Sequence, residues 1–160
     1  MKRFKVIATV VMLALVLSLA LSACTPTHTV GDAGTVTIVL APESEGGECI
    51  EYIVDLAELD GQEGLMTVLA YLKETQGLTY AEKDGGYGAY LTQVAHLAED
   101  YASGTYLYLY TSVEADADVS EYATTIDYKG HVLSSSGVGS SSMQIEDGAI
   151  IYIGTIVYGS

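Results

Sequence analysis

Apolar residues fill positions 6–21 with only Thr9 and Ser18 among them, and from residue 35 onward the apolar pattern breaks into short pieces of two different periods. Thr35–Leu40 is a β-branched run stopped by Ala41-Pro42, and Ile50–Asp55 is a second, with acid and glycine crowding residues 43–48. This predicts an opening β-hairpin on a long turn. Beyond Gly61 and Gly64 the period changes: Leu65, Val68, Leu69 and Leu72 fall at i, i+3, i+4 and i+7, which predicts a helix with one apolar stripe that stops near Gly77. Residues 89–97 fit both periods, Leu91, Val94 and Ala95 a helix and Tyr90, Thr92, Val94 and His96 a strand; the strand is the preferred reading. Thr105–Thr111 alternates strictly, with Tyr106, Tyr108 and Tyr110 on one face and Leu107 and Leu109 on the other.

A polar insert follows at residues 112–143, acidic over 114–121 and Ser/Gly-rich over 134–142, with a small extended piece at 122–128 that turns at Lys129-Gly130. The chain closes on Asp147-Gly148 and a β-branched run at 149–158, broken by Gly154. Strands, one helix and further strands predict a small α+β domain over residues 35–160, a mixed sheet with the helix packed on one face. Leu107 and Leu109 suit the helix side, so the three tyrosines of that strand are expected on the opposite face, open or walled by the insert.

Charge changes the reading of the first apolar run. Lys2, Arg3 and Lys5 precede it, and Leu21-Ser22-Ala23-Cys24 ends it. Positive start, apolar middle and small residues before a cysteine resemble the lipobox of bacterial lipoprotein signals. The expectation is a signal peptide at residues 1–23, a lipid-carrying Cys24 and a flexible tether at 24–34 containing Pro26, Gly31 and Gly34. The run is short for a membrane span. Acyl chains, each buried methylene contributing about 0.8 kcal/mol, would hold the domain on the cell membrane at its outer, extracytoplasmic side.

Loss of that segment would remove Lys2, Arg3 and Lys5, leaving Lys73, Lys83 and Lys129 against twenty-one acids, a balance of 3 − 21 = −18. With no arginine beyond Arg3, nucleic acid is excluded as an expected partner. Cys49 is the one thiol besides Cys24, so an intrachain disulfide is not expected, and a small, partly buried apolar role suits it.

The chain offers little catalytic chemistry. His96 and His131 stand in no nucleophile–base–acid motif and His28 falls in the tether, so a non-enzymatic role is expected. Gly137-Val138-Gly139 lacks the lysine and following helix of a phosphate loop and reads as a turn. Asp116, Asp118, Ser120, Tyr122, Thr124 and Asp127 have the spacing of a calcium loop, but Glu121 stands where its turn needs glycine, so a solvated acidic loop is the reading and no metal ligand is assigned. Thirteen tyrosines remain; with no tryptophan, and Phe4 the only phenylalanine, they supply all the aromatic surface beyond residue 24. Tyrosine joins apolar area to a hydrogen-bonding tip, as binding surfaces do, although strand propensity alone also favours it on a sheet.

Several phrases together resemble a known family. Thr67-Val68-Leu69-Ala70-Tyr71-Leu72-Lys73, the Gly86-Tyr87-Gly88 turn leading into a strand, the aromatic strand after Gly104 and Ile145-Glu146-Asp147-Gly148-Ala149-Ile150 are similar to the transcobalamin C-terminal-like domain of bacterial surface lipoproteins. The resemblance spans residues 35–158. It implies a β-grasp sheet carrying one helix. It also implies cobalamin, or another corrinoid, as a small-molecule ligand rather than a fixed cofactor, since the related domain of vitamin B12 carriers caps the corrinoid. Members often carry tryptophan on the aromatic strand, where this chain has Tyr106, Tyr108 and Tyr110. The expected ligand face is those three tyrosines, edged by Tyr87, Tyr90, Ser134, Ser135 and Ser136. Recognition of a protein or glycan at the cell surface, or a structural role in the envelope, is the alternative.

Overall fold

The computed structural model describes residues 33–59, 64–86 and 88–158. The expected signal peptide, Cys24, nearly all of the tether and Tyr87 lie outside the described residues. The β-branched runs form the predicted hairpin, β1 (Thr35–Leu40) against β2 (Ile50–Asp55), with Val36 opposite Val54 and Ile38 opposite Tyr52. The Asp55 carboxylate then accepts the Ala57 amide at 2.9 Å, starting one 3-10 turn at Leu56–Glu58. The only α-helix among the described residues, α1 (Leu65–Gln76), buries the four predicted positions Leu65, Val68, Leu69 and Leu72. Its C-terminus closes on Gly77 in the left-handed conformation, whose freedom from a Cβ suits that position. Its first amide has no side-chain cap; Leu65 N–H instead donates to the Met143 carbonyl at 3.1 Å. The long insert thus docks the helix.

After the helix come β3 (Tyr80–Asp84), β4 (Ala89–Val94) and β5 (Leu97–Ala98), a three-stranded sheet in the order β3-β4-β5. The strand reading of residues 89–97 holds up to Val94, where Ala95 takes a left-handed φ of 51° and the chain reverses. The His96 imidazole, Nε2 2.8 Å from the Ala41 carbonyl oxygen, ties this turn to the end of β1.

The main sheet has six strands in the order β2-β1-β9-β6-β8-β7, adding β6 (Thr105–Thr111), β7 (Thr125–Tyr128), β8 (His131–Ser135) and β9 (Ile150–Val157). First and last strands lie side by side in parallel, and β6 runs antiparallel to β9. A hairpin, a helix, and a last strand parallel to the first make the expected α+β, β-grasp-like arrangement. One core fills the helix side: Val36, Ile38, Leu40, Val54, Ile151 and Ile153 from the sheet meet Leu65, Val68, Leu69 and Leu72 from the helix and Leu91, Val94 and Leu97 from the small sheet. Leu107 and Leu109 pack against this core.

Two expectations change. Gly154 does not break the last strand, because β9 runs through it paired with Tyr108 of β6. The Ser/Gly-rich stretch at 134–142 begins inside a strand, and Met143 just beyond it is fully buried in the main core.

Candidate functional site

Alternation along β6 and the pairing with β9 build the outer face of the sheet. Tyr106, Tyr108 and Tyr110 stand opposite Ile156, Gly154 and Tyr152, and directly paired residues share a face. Leu107 and Leu109 occupy the core side, so the tyrosines turn away from the helix. All three rings are half-buried. They fall into two groups. At one end the Tyr106 ring meets the edges of Tyr101 and Tyr158, with centroids 5.6 and 5.8 Å away. At the other, Tyr108 lies 5.1 Å from Tyr110, Tyr110 lies 6.3 Å from Tyr152, and Tyr152 lies 5.9 Å from Tyr128. Gly154 between them leaves room for the Tyr152 ring: a Cβ there would stand 3.1 Å from Tyr152 Cε1.

The hairpin β7–β8 does not extend the sheet as a flat edge. Only Tyr110 with Ser135 and Thr111 with Ser134 join β8 to β6. Five strand spacings of about 4.8 Å would separate β2 from β7 by roughly 24 Å in a flat sheet. Yet Lys129, at the tip of this hairpin, holds Glu51 of β2 with Nζ 2.5 Å from Oε1. The hairpin therefore folds back across the outer face. Beneath it lies a second apolar cluster, with Val39, Leu133 and Ile150 buried and Cys49, Tyr110, Ile126, Tyr128 and Tyr152 packed around them. Lys129 (φ 52°) and Gly130 (φ 82°) both take left-handed conformations at the tip, the backbone of a tight two-residue hairpin turn.

Electrostatics follow this packing. The Lys129 ammonium and then the Tyr128 hydroxyl, both bonded to Glu51, hold its carboxyl below the usual range. Burial, followed by the Glu51 carboxylate, pushes the Tyr128 hydroxyl up. Burial also raises Tyr152, with the Cys49 thiol beside it. At the open end the Tyr101 hydroxyl donates to Glu99 at 2.5 Å, and hydrogen bonds to Glu99 and then Tyr90 raise its pKa.

The expected site residues thus meet in part. Tyr106, Tyr108 and Tyr110 share the face, and Tyr90 stands half-buried on β4 of the small sheet. The three serines do not form one edge. Ser135 shares the tyrosine face beside Tyr110 but is buried, its hydroxyl accepting the Thr124 amide at 3.0 Å. Ser134 and Ser136 alternate to the other side, where the Ser136 hydroxyl donates to the Val138 carbonyl at 2.9 Å. Tyr101, Tyr128, Tyr152, Tyr158, Glu51, Lys129 and Cys49 were absent from the expected set. Tyr152 and Tyr158 share parity with Ile150 and Ile156 along the last strand, a signal present in the alternation.

The acidic loop uses its side chains internally. Asp118 accepts the Ser120 amide at 2.8 Å, Asp127 accepts the Gly130 amide at 3.1 Å, and the buried Asp116 accepts the Gln144 amide at 2.5 Å. Among the described residues no group of three or more His, Cys, Asp or Glu side chains is arranged to hold a metal ion. No helix among them is long and apolar enough to cross a membrane.

No protein-family model matches the chain, and no curated protein matches it. Solved structures do share its fold. Haptocorrin in complex with cobinamide superposes on 79% of this chain with a TM-score of 0.50 and 13% identity, the match covering 25% of the haptocorrin chain. A protein of Ruminococcus gnavus, named as a candidate metal-binding protein, superposes on 79% of this chain and 99% of its own, with a TM-score of 0.49 and 10% identity.

Proposed function

We propose that this protein is a non-enzymatic, lipid-anchored extracytoplasmic domain that binds a flat ligand on its tyrosine face, with a corrinoid as the first ligand to test. The observation carrying this reading is the face itself: a row of half-buried rings on the side of the sheet away from the helix, with a folded-back hairpin forming one wall. Rings held by their neighbours lose little freedom when a flat molecule stacks on them. The choice of corrinoid is supported by the shared fold with haptocorrin and by the sequence resemblance to transcobalamin C-terminal-like domains. The anchor is supported by the order of charge, apolar run and Cys24.

Mixing the protein with cobalamin or cobinamide and separating by gel filtration tests the ligand directly. Visible corrinoid absorbance should travel with the wild-type protein and be lost or much reduced with a folded Tyr108→Ala variant. Absorbance that stays in the small-molecule fractions would end the corrinoid reading. A second reading, glycan recognition, is favoured by the open end of the face, where Tyr101 and Tyr158 are each 58% exposed beside Glu99. Retention on neutral glycans, without corrinoid binding, would select it.

A further inference from the structure

We propose that the β7–β8 hairpin is a hinged flap over an apolar ligand compartment on the outer face, latched by Lys129 on Glu51. Three observations carry it. The hairpin is joined to the sheet at its base, through the two residue pairs of β8 with β6 and the Ser136 amide, which donates to the Leu109 carbonyl at 2.8 Å, and it pairs with no further strand of the sheet. Its far end is fastened by the Glu51 carboxylate, which accepts from the Lys129 ammonium at 2.5 Å; the Lys129 side chain is 64% and the Glu51 side chain 31% exposed. Between base and tip, the underside meets the sheet through a cluster separate from the main core, with Val39, Leu133 and Ile150 as its buried members. A narrow base, an exposed ionic fastening and a small separate core make a low-stability element, so this hairpin opens before the rest of the domain unfolds.

The chemistry of the compartment selects its occupant. Its walls are aliphatic side chains and tyrosine rings, and its one cation is engaged with Glu51. A chain with a formal charge of −15 repels anions from its approaches. The ligand class is therefore a flat, uncharged, largely apolar ring system. This locates where such a ligand would enter on the face proposed above, and the flap itself stands whether or not that ligand is a corrinoid.

Cys49 reports on the flap because it packs around the same cluster as Tyr128 of the hairpin and Tyr152 of the sheet. The full-length chain is alkylated with N-ethylmaleimide and modification at Cys49 is followed by peptide mass spectrometry, which separates it from Cys24. Lys129→Ala should speed alkylation about two- to fivefold, the leverage of one exposed ion pair. Glu51→Ala, which removes the same ion pair from the other side, should speed it to a similar extent, whereas Lys129→Arg should stay near wild type. Raising salt from about 20 to about 500 mM should accelerate the wild type and leave Glu51→Ala unchanged. Nile red, a neutral flat fluorophore, should slow alkylation of the wild type, and an anionic dye of similar size should not. Thermal melts within a few degrees of wild type identify variants that remain folded. Equal alkylation rates in wild type and folded Glu51→Ala would overturn the latch, and no protection by Nile red would overturn the compartment.

Discussion

Replacing Gly64 with alanine probes how the insert and the helix hold each other. Gly64 precedes α1 with φ 131° and ψ 173°, a region almost closed to residues with a Cβ, which costs about 1–3 kcal/mol. An added Cβ would also stand 2.7 Å from the Met143 carbonyl oxygen. That oxygen cannot retreat freely, because it accepts the Leu65 amide at 3.1 Å and the Met143 side chain is 1% exposed in the core. Moving it loosens a helix-starting hydrogen bond, a further ~1 kcal/mol, and disturbs core packing by about 1 kcal/mol more. The sum is about 3–5 kcal/mol.

Gly77, at the other end of the same helix, is the internal control. It has φ 71° and nothing within 4 Å of its added Cβ, so Gly77→Ala should cost only about 1–2 kcal/mol. Urea denaturation followed by far-ultraviolet circular dichroism gives both values. At roughly 3–6 °C per kcal/mol for a domain of this size, a difference of about 1–4 kcal/mol should separate the melting temperatures by roughly 3–24 °C. Melting temperatures within about 3 °C of one another would refute the reasoning, since the Met143 contact would then carry no weight.

Leu69 is fully buried in the helix stripe, so Leu69→Ala should destabilise by about 2–5 kcal/mol, while the exposed Lys73, whose Nζ lies 5.4 Å from the Tyr80 ring centroid, should tolerate alanine to within about 1 kcal/mol. Equal denaturation midpoints would contradict the facing of the helix. Because burial raises Tyr128 and Tyr152, the folded state holds these hydroxyl protons more tightly than the unfolded chain; their contribution is complete below the ordinary tyrosine value of about 10 and declines as pH rises through the raised values. Absorbance at 295 nm should therefore show a late-ionising subset of tyrosines and falling stability in alkali, and a single phenolate transition at the ordinary value would count against it. Cys24→Ala should abolish fatty-acid labelling in cells; equal labelling of variant and wild type would remove the anchor proposal.

The parts of the fold legible in the sequence are those fixed by local periodicity. The hairpin, the helix stripe and the aromatic strand each repeat at a period that only one element satisfies. β3 was illegible because four of its five residues are exposed and carry no alternation; it exists through backbone pairing with β4. β8 was hidden because Ser134 and Ser135 resemble loop composition, yet Leu133 beside them is fully buried. Gly154 read as a break because nothing local reveals that the Tyr152 ring lies against it. The fold-back of the hairpin depends on Lys129 reaching Glu51 across 78 positions of sequence, a separation that no local pattern encodes.

The same distinction separates the two faces of β6. Toward the helix, Leu107 and Leu109 need only apolar partners, and the helix stripe and β9 supply them wherever the register falls correctly. On the outer face, tyrosine solves a different problem, because a surface that is only half covered must bury ring area while leaving polar tips at its boundary. The hydroxyls do so in distinct ways: Tyr101 bonds Glu99 at the open end, and the Tyr110 hydroxyl lies 3.4 Å from that of Thr124. Phenylalanine or leucine at these positions would supply the packing without the boundary bonds. The tyrosine content thus reflects a sheet face that is covered by the hairpin at one end and open at the other.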